Sequence, residues 1–182
     1  MAMSCGSVST PNVCTIRFEF IFFSCAAKFE MDELRDRLGH IPMARLLGVR
    51  KDGMEFDGNA MRWRISLEDF GKNDKGSAFA GALSAVSLLC GWSLVTALLE
   101  SRGIRADVVS KHADTNFTAP VRTDYVVSAT ASDDVDSALR AKHHPKVSVR
   151  IVIHSPHDTL CVESTVLYVV LRETDRPVTA EE

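Results

Sequence analysis

Residues 76–99 read GSAFAGALSAVSLLCGWSLVTALL, twenty-four consecutive positions without a charged side chain. Glu100 and Arg102 end the run, and Gly103 follows as a helix stop signal. The spacing predicts one helix of about 25 residues, roughly 37 Å long at 1.5 Å per residue. A helix that is apolar all round must be buried, in lipid or in a protein core. Its length would suffice for a membrane span. Ser77, Ser84, Ser87, Ser93 and Thr96, with many alanines, make it only moderately hydrophobic. Four strand-like segments follow it and need an apolar body to pack on, so the core reading is preferred and no membrane span is expected.

Those segments are 105–118, 124–131, 146–154 and 160–172. In the third, Val147, Val149, Ile151 and Ile153 alternate with Ser148, Arg150 and His154. SPHDT at 155–159 is a turn of hairpin length, and the polar stretch 132–145 reads as a loop. Upstream, Met61, Trp63, Ile65 and Leu67 alternate with Arg62, Arg64 and Ser66 in a half-buried strand. A further strand is expected at 46–56, turning at Asp52-Gly53. MDELRDRLGHIPMARLL at 31–47 carries Leu34, Leu38 and Ile41 at helical spacing and is broken near Gly39 and Pro42. Helix, strands, one long helix and four strands is not the βαβ alternation of a doubly wound sheet. The pattern predicts an α+β domain, an antiparallel sheet around a long central helix.

The 182 residues fit one domain, with 46% hydrophobic and 25% charged residues. The net charge of −3 and pI of about 6.1 offer no basic excess for a polyanion, so nucleic acid is not an expected partner. Cys5, Cys14, Cys25, Cys90 and Cys161 are odd in number and form no CxxC pair. That argues against a disulfide framework or a zinc knuckle and for a reducing compartment. A cytoplasmic location is expected, with organellar targeting by residues 1–30 left open. Those residues make a poor signal peptide, because Arg17 and Glu19 interrupt TIRFEFIFFSCAA. A transit peptide or an added edge strand at IRFEFIFF are the other readings. The preferred one is an extension (1–30) before a domain at 31–173, with a frayed tail at 174–182.

NDKGSAFAGALSAVSLLCGWSLVTALL at 73–99, followed by NFTAPVRTD at 116–124, resembles the hotdog superfamily. Within it the chain resembles the YiiD-type putative thioesterase domain over about residues 31–172. That domain's N-x-x-G-[ST]-A-F-x-G signature stands here as Asn73, Gly76, Ser77, Ala78, Phe79 and Gly81. Its AGW-like stretch stands as Cys90-Gly91-Trp92, and the strand after the helix ends in Ala119-Pro120-Val121. The resemblance implies the hotdog fold, a homodimer or a dimer of dimers, and an acyl-CoA-like substrate at the dimer seam. It implies thioester hydrolysis with no cofactor beyond the CoA of the substrate.

Thioester hydrolysis builds negative charge on the carbonyl oxygen, and free N–H groups at a helix N-terminus can receive it. Those near Phe79, Ala80 and Gly81 are the candidates, and Gly81 lets a substrate approach the backbone. Ser77 is expected to cap the helix whatever else it does. In related thioesterases, as the resemblance implies, an Asn six residues before the helix holds water or the carbonyl. Asn73 has that spacing relative to Phe79. The same enzymes carry a carboxylate nine residues further along the helix. Leu88 stands there instead, and no acid lies between Asp74 and Glu100. Asp74 or Asp114 is left as the general base, each with a plainer reading as a turn residue or a solvated strand residue. Ser110, His112, Asp114 and Asn116 are expected on one strand face, with Asn116 able to reach substrate. Lys75, Arg62, Arg64 and Arg122 are candidates for the CoA phosphates. The missing helix carboxylate keeps an alternative open, a non-catalytic acyl-CoA or acyl-carrier binding module. His143, His144, His154 and His157 sit in or beside loops, and no metal site is expected. G-x-S-x-G, Walker and dinucleotide motifs are absent from the sequence. No His lies in 73–103, which argues against a dehydratase.

Overall fold

A computed structural model describes residues 31–68, 71–132, 134–140 and 144–171. The N-terminal extension, its edge-strand reading, His143 and the tail fall outside the described residues.

The chain begins with helices α1 (Met31–Gly39) and α2 (Pro42–Leu46). Pro42 stands in the first turn of α2, where its missing N–H costs no hydrogen bond. Strands β1 (Val49–Phe56) and β2 (Ala60–Ile65) form an antiparallel pair. Helix α3 (Ala80–Glu100) precedes β3 (Asp107–Phe117) and β4 (Tyr125–Ala131). A short helix α4 (Val135–Leu139) lies within the stretch expected to be loop. Asp134 caps it by accepting the Asp136 N–H at 3.0 Å, a local signal that a purely compositional reading of 132–145 passes over. Strands β5 (Lys146–His154) and β6 (Leu160–Leu171) complete the fold.

The six strands make one antiparallel sheet in the order β1-β2-β4-β5-β6-β3, leaving β1 and β3 at its edges. Alternation sets which side chains face α3. On β2, Met61, Trp63 and Ile65 are buried while Arg62 and Arg64 are exposed. Val147, Val149, Ile151 and Ile153 do the same on β5, as their spacing predicts. Leu34 and Leu38 of α1, one turn apart, are buried in the same core. This is the hotdog arrangement, a long helix held against a single antiparallel sheet.

Twelve residues of α3 are buried, from Leu83 to Leu99. The helix is long and apolar enough to cross a membrane by composition, yet most of it is buried in this domain. Gly91 marks its tightest contact. A Cβ there would lie 2.4 Å from the Tyr168 hydroxyl oxygen. That hydroxyl donates to the Leu88 carbonyl at 2.7 Å. The absent side chain is what lets β6 press onto the middle of α3.

Candidate active site at the start of the central helix

The segment before α3 is tied down by its own backbone. Phe79 N–H donates to the Gly71 carbonyl at 2.8 Å, and Ala78 N–H to the Val121 carbonyl at 2.7 Å. The second bond clamps the helix entry to the segment between β3 and β4. Asn73 organises the turn between these ties. Its Oδ1 accepts the backbone N–H groups of Lys75 at 2.9 Å and Ser77 at 3.2 Å. Its Nδ2 donates to Ser77 Oγ at 3.0 Å, and its own N–H donates to the Ser77 carbonyl at 2.7 Å. Gly76 completes the turn at φ 69°, where a β-carbon is disfavoured. Asp74 and Lys75 are exposed on this turn.

These ties correct three expectations. The helix starts at Ala80 rather than at Gly76, and its N-cap is Phe79, with no side-chain cap. Ser77 is buried and bonded to Asn73, so it does not cap α3. Phe79 N–H is spent on Gly71. The N–H groups of Ala80, Gly81 and Ala82 have no acceptor within the described residues, because a first helical turn has no preceding carbonyl to serve it. The ladder begins with Leu83 N–H on the Phe79 carbonyl. Gly81 has a local reason as well: a Cβ there would meet the Phe79 ring at 2.6 Å. The ring lies over the first turn and is 59% exposed.

Beside this turn is a hollow of about 320 Å³, lined among others by Asn73, Ala78, Ala80, Leu83, Phe117 and Val121. Leu83, Ala78 and Val121 are buried and form its inner wall; Ala80 and Phe117 are exposed at its rim. Among the described residues no carboxylate lines it. Another hollow of about 370 Å³ involves Arg50, Asp52, Arg64 and Asp124. Its arginines are already committed, Arg50 to Asp52 and Arg64 to Glu55, and it does not include the helix start.

Strand β3 places the remaining candidates. Tyr168, on β6, faces α3 through its bond to Leu88. Register then assigns the faces. Thr115 pairs with Ser164 and Phe117 with Val162 on the α3 side, and Thr115 and Ser164 share a hydroxyl bond of 3.1 Å. Asp114, opposite Thr165, and Asn116, opposite Glu163, lie on the face turned away from α3. Neither meets the helix start within one chain. A register shift between Ser110 and His112 puts Ser110 opposite Tyr168, so these polar residues do not form the single row expected from alternation. Lys75 and Arg122 do come together beside the helix entry, where Arg122 Nη1 donates to the Lys75 carbonyl at 3.3 Å. Arg62 and Arg64 lie on β2, pointing outward.

Sequence reasoning passed over the Ala82 N–H and the apolar wall of Leu83, Phe117 and Val121. The wall is assembled from two segments distant in sequence by the Ala78–Val121 bond, and no local pattern announces it. Burial pushes the Cys90 thiol and the Tyr168 hydroxyl well above their ordinary ranges, so neither serves as an anionic nucleophile. Among the described residues no three His, Cys, Asp or Glu side chains gather where a metal could sit.

The fold is shared with solved structures of distant sequence. A putative thioesterase from Shewanella oneidensis superposes with a TM-score of 0.69 at 22% identity, covering 78% of this chain and 96% of that one. A thioesterase from Haemophilus influenzae gives 0.66 at 17% identity, covering 79% and 92%. A mutant thioesterase from Pseudomonas aeruginosa gives 0.64 at 13% identity, covering 78% and 94%. At these identities the likeness is one of fold. Among curated protein sequences nothing matched. The sequence profile of the family described as putative thioesterase (yiiD_Cterm) matches residues 31–172. That span takes in both segments that build the hollow, and by it the chain belongs to the putative thioesterase (yiiD_Cterm) family.

Proposed function

We propose that this protein hydrolyses an acyl-CoA or a related acyl thioester, with the reacting carbonyl at the start of α3. The observation that carries this reading is the set of N–H groups on Ala80, Gly81 and Ala82 with no acceptor among the described residues, beside an apolar hollow. They suit an acyl group in the hollow with its carbonyl oxygen on the helix N-terminus. Water adds to the carbonyl carbon as a base takes its proton. The oxyanion rests on the N–H groups, then collapses and expels the CoA thiolate, which is protonated as it leaves. Asn73 fixes the turn that presents this site. Asp74, the next residue, is exposed and is the carboxylate we assign as base within one chain; Asp114 and Asn116, on the other face of edge strand β3, are the alternatives that a second copy joined at that edge would bring into play. Lys75 and Arg122 suit the CoA phosphates at the entrance. The β3 edge, whose outer side pairs with no described strand and whose residues are nearly all exposed, suits a second copy. Two chains joined there form the dimer, alone or as half of a dimer of dimers.

The lack of a carboxylate among the described residues lining the hollow favours one second reading, an acyl-thioester binding module without turnover. Release of free thiol from acyl-CoAs by the purified full chain, beside Asn73→Ala and Asp74→Ala, separates the two. Turnover that falls at least tenfold in Asp74→Ala is expected. Saturable binding with no thiol release at any acyl length would establish the binding module instead.

A further inference from the structure

The fold buries both tyrosines of the chain: Tyr125 is 4% exposed and Tyr168 1%. They are served unequally. The Tyr168 hydroxyl donates to the Leu88 carbonyl, whereas no described residue bonds to the hydroxyl of Tyr125. A buried hydroxyl without a partner is costly, so such a group points to something that binds it. Burial holds the Tyr125 hydroxyl well above its ordinary range, so it stays protonated and able to donate at neutral pH. Tyr125 begins β4 opposite Ile65 of β2, and alternation sends its side chain, like those of Val127 and Ala129, toward α3. There it lines a narrow hollow with Leu46, Leu67, Glu68, Ala78 and Ala82. Ala78 lines the acyl hollow too, so the two meet at the helix entry. No residue of the β3 edge takes part in the narrow hollow. Its volume of about 10 Å³ is close to the room one water needs.

Ala82 is the third residue of α3, a position whose N–H an N-cap side chain ordinarily serves. Phe79, the N-cap, has no side chain able to do so. We propose that one water bound to Tyr125 does it instead. This water accepts from the Tyr125 hydroxyl and the Ala82 N–H, and donates to the exposed Glu68 carboxylate and to the reacting carbonyl oxygen. A water that accepts two hydrogen bonds is polarised into a stronger donor. The N–H groups of Ala80 and Gly81 are left to meet the oxyanion directly. The inference rests on the reading of the helix start as the thioester site, and it adds Tyr125 to that site as a positioning residue.

The test is Tyr125→Phe in the full chain, which removes one oxygen atom and no direct bond to a described residue. A crystal structure of the native protein should show a water within hydrogen-bond reach of Tyr125 Oη and Ala82 N, and that of Tyr125→Phe should lack it. Thiol release from acyl-CoAs should fall about tenfold in kcat with KM held within about twofold, less than the hundredfold or more that loss of a direct oxyanion donor costs. A merely structural hydroxyl would lower Tm and leave kcat of the folded protein intact. A native structure without this water, a Tyr125 hydroxyl bonded to protein instead, or native kcat in Tyr125→Phe would overturn the proposal. If the native protein cleaves no thioester, hydrolysis fails as the function, and the crystal structures still decide whether Tyr125 holds the water.

Discussion

The two ends of α3 are built from the same kind of residue and do opposite things. From Cys90 onward the helix is sealed: Leu94, Val95, Ala97, Leu98 and Leu99 are buried, Tyr168 presses on Gly91, and Arg37 pairs with Glu100. At the start, Ala80 and Gly81 are exposed, three N–H groups are unserved and an aromatic ring lies open to solvent. The packed end has almost no polar group left to offer a ligand. The open end has little packing to lose. Stability and chemistry are thus assigned to separate turns of one helix, and substitutions should divide accordingly.

The largest effect on stability should come from Gly91→Val. Its side chain would enter the space held by the Tyr168 hydroxyl, 2.4 Å from an added Cβ. Overpacking and the broken bond to Leu88 together should cost about 3 kcal/mol or more. For a domain of this size that lowers Tm by roughly 6–12 °C, read by thermal denaturation. A folded fraction of Gly91→Val that retains kcat/KM would support the division; a variant with unchanged Tm would break it.

Asn73→Ala should do the reverse. It strips the acceptor from Lys75 N–H and Ser77 N–H, so the turn loosens while the core stays whole. Thiol release should fall by about tenfold to a hundredfold, with a stability loss of only ~1 kcal/mol. Asn73→Asp keeps both acceptor contacts and loses Nδ2. Substantial recovery in Asn73→Asp would mark Asn73 as a positioning residue. If Asp is as inactive as Ala, the Nδ2 donor is needed as well, through its bond to Ser77 Oγ or in contact with water or substrate.

A smaller effect is expected at Gly81. An added methyl meets only the movable edge of the exposed Phe79 ring, and alanine favours the helix by up to ~1 kcal/mol. Gly81→Ala should leave Tm level or slightly raised while it displaces the ring. In a Phe79→Ala background the conflict vanishes, so a double-mutant cycle should show coupling in kcat/KM. Additive effects would show that the ring position does not matter to the site.

How much of this could be read in advance follows the same division. The sealed part of α3 and the alternation of β2 and β5 are written in local periodicity, and the strands fall within a few residues of their expected ends. The open end was legible as a motif but not as a geometry. Asn73, Gly76, Ser77 and Gly81 stand in the motif, yet the helix start depends on Ala78 bonding to Val121 and Phe79 to Gly71. Those non-local bonds move the cap to Phe79 and free Ala82 rather than Phe79 as a donor. The face that Asp114 occupies is hidden for a related reason. Spacing of two along β3 correctly groups it with His112 and Asn116, but which face carries them is set by pairing with β6, and the shift after Ser110 is not marked by any residue type.

The smallest effect should be found at the far end of α3. Arg102 donates to the Leu98 carbonyl at 2.9 Å and, through Nε, to Asp136 at 2.6 Å, tying the helix terminus to α4. The hydrogen bond from Arg102, and after it the guanidinium charge, hold the Asp136 carboxyl below the usual carboxylate range. A carboxylate with a lowered folded pKa contributes stability above its unfolded value of about 3.9, and that contribution disappears as pH falls through the folded value. Both side chains touch water, so solvent screens most of it. Asp136→Asn should therefore lower Tm only slightly at neutral pH, and the difference from the native protein should close in strong acid. Its kcat/KM should be unchanged, since Arg102 still caps Leu98 and the helix start is untouched. A clear loss of turnover in Asp136→Asn would mean that the two ends of α3 are energetically coupled, and the division drawn from their packing would have to be abandoned.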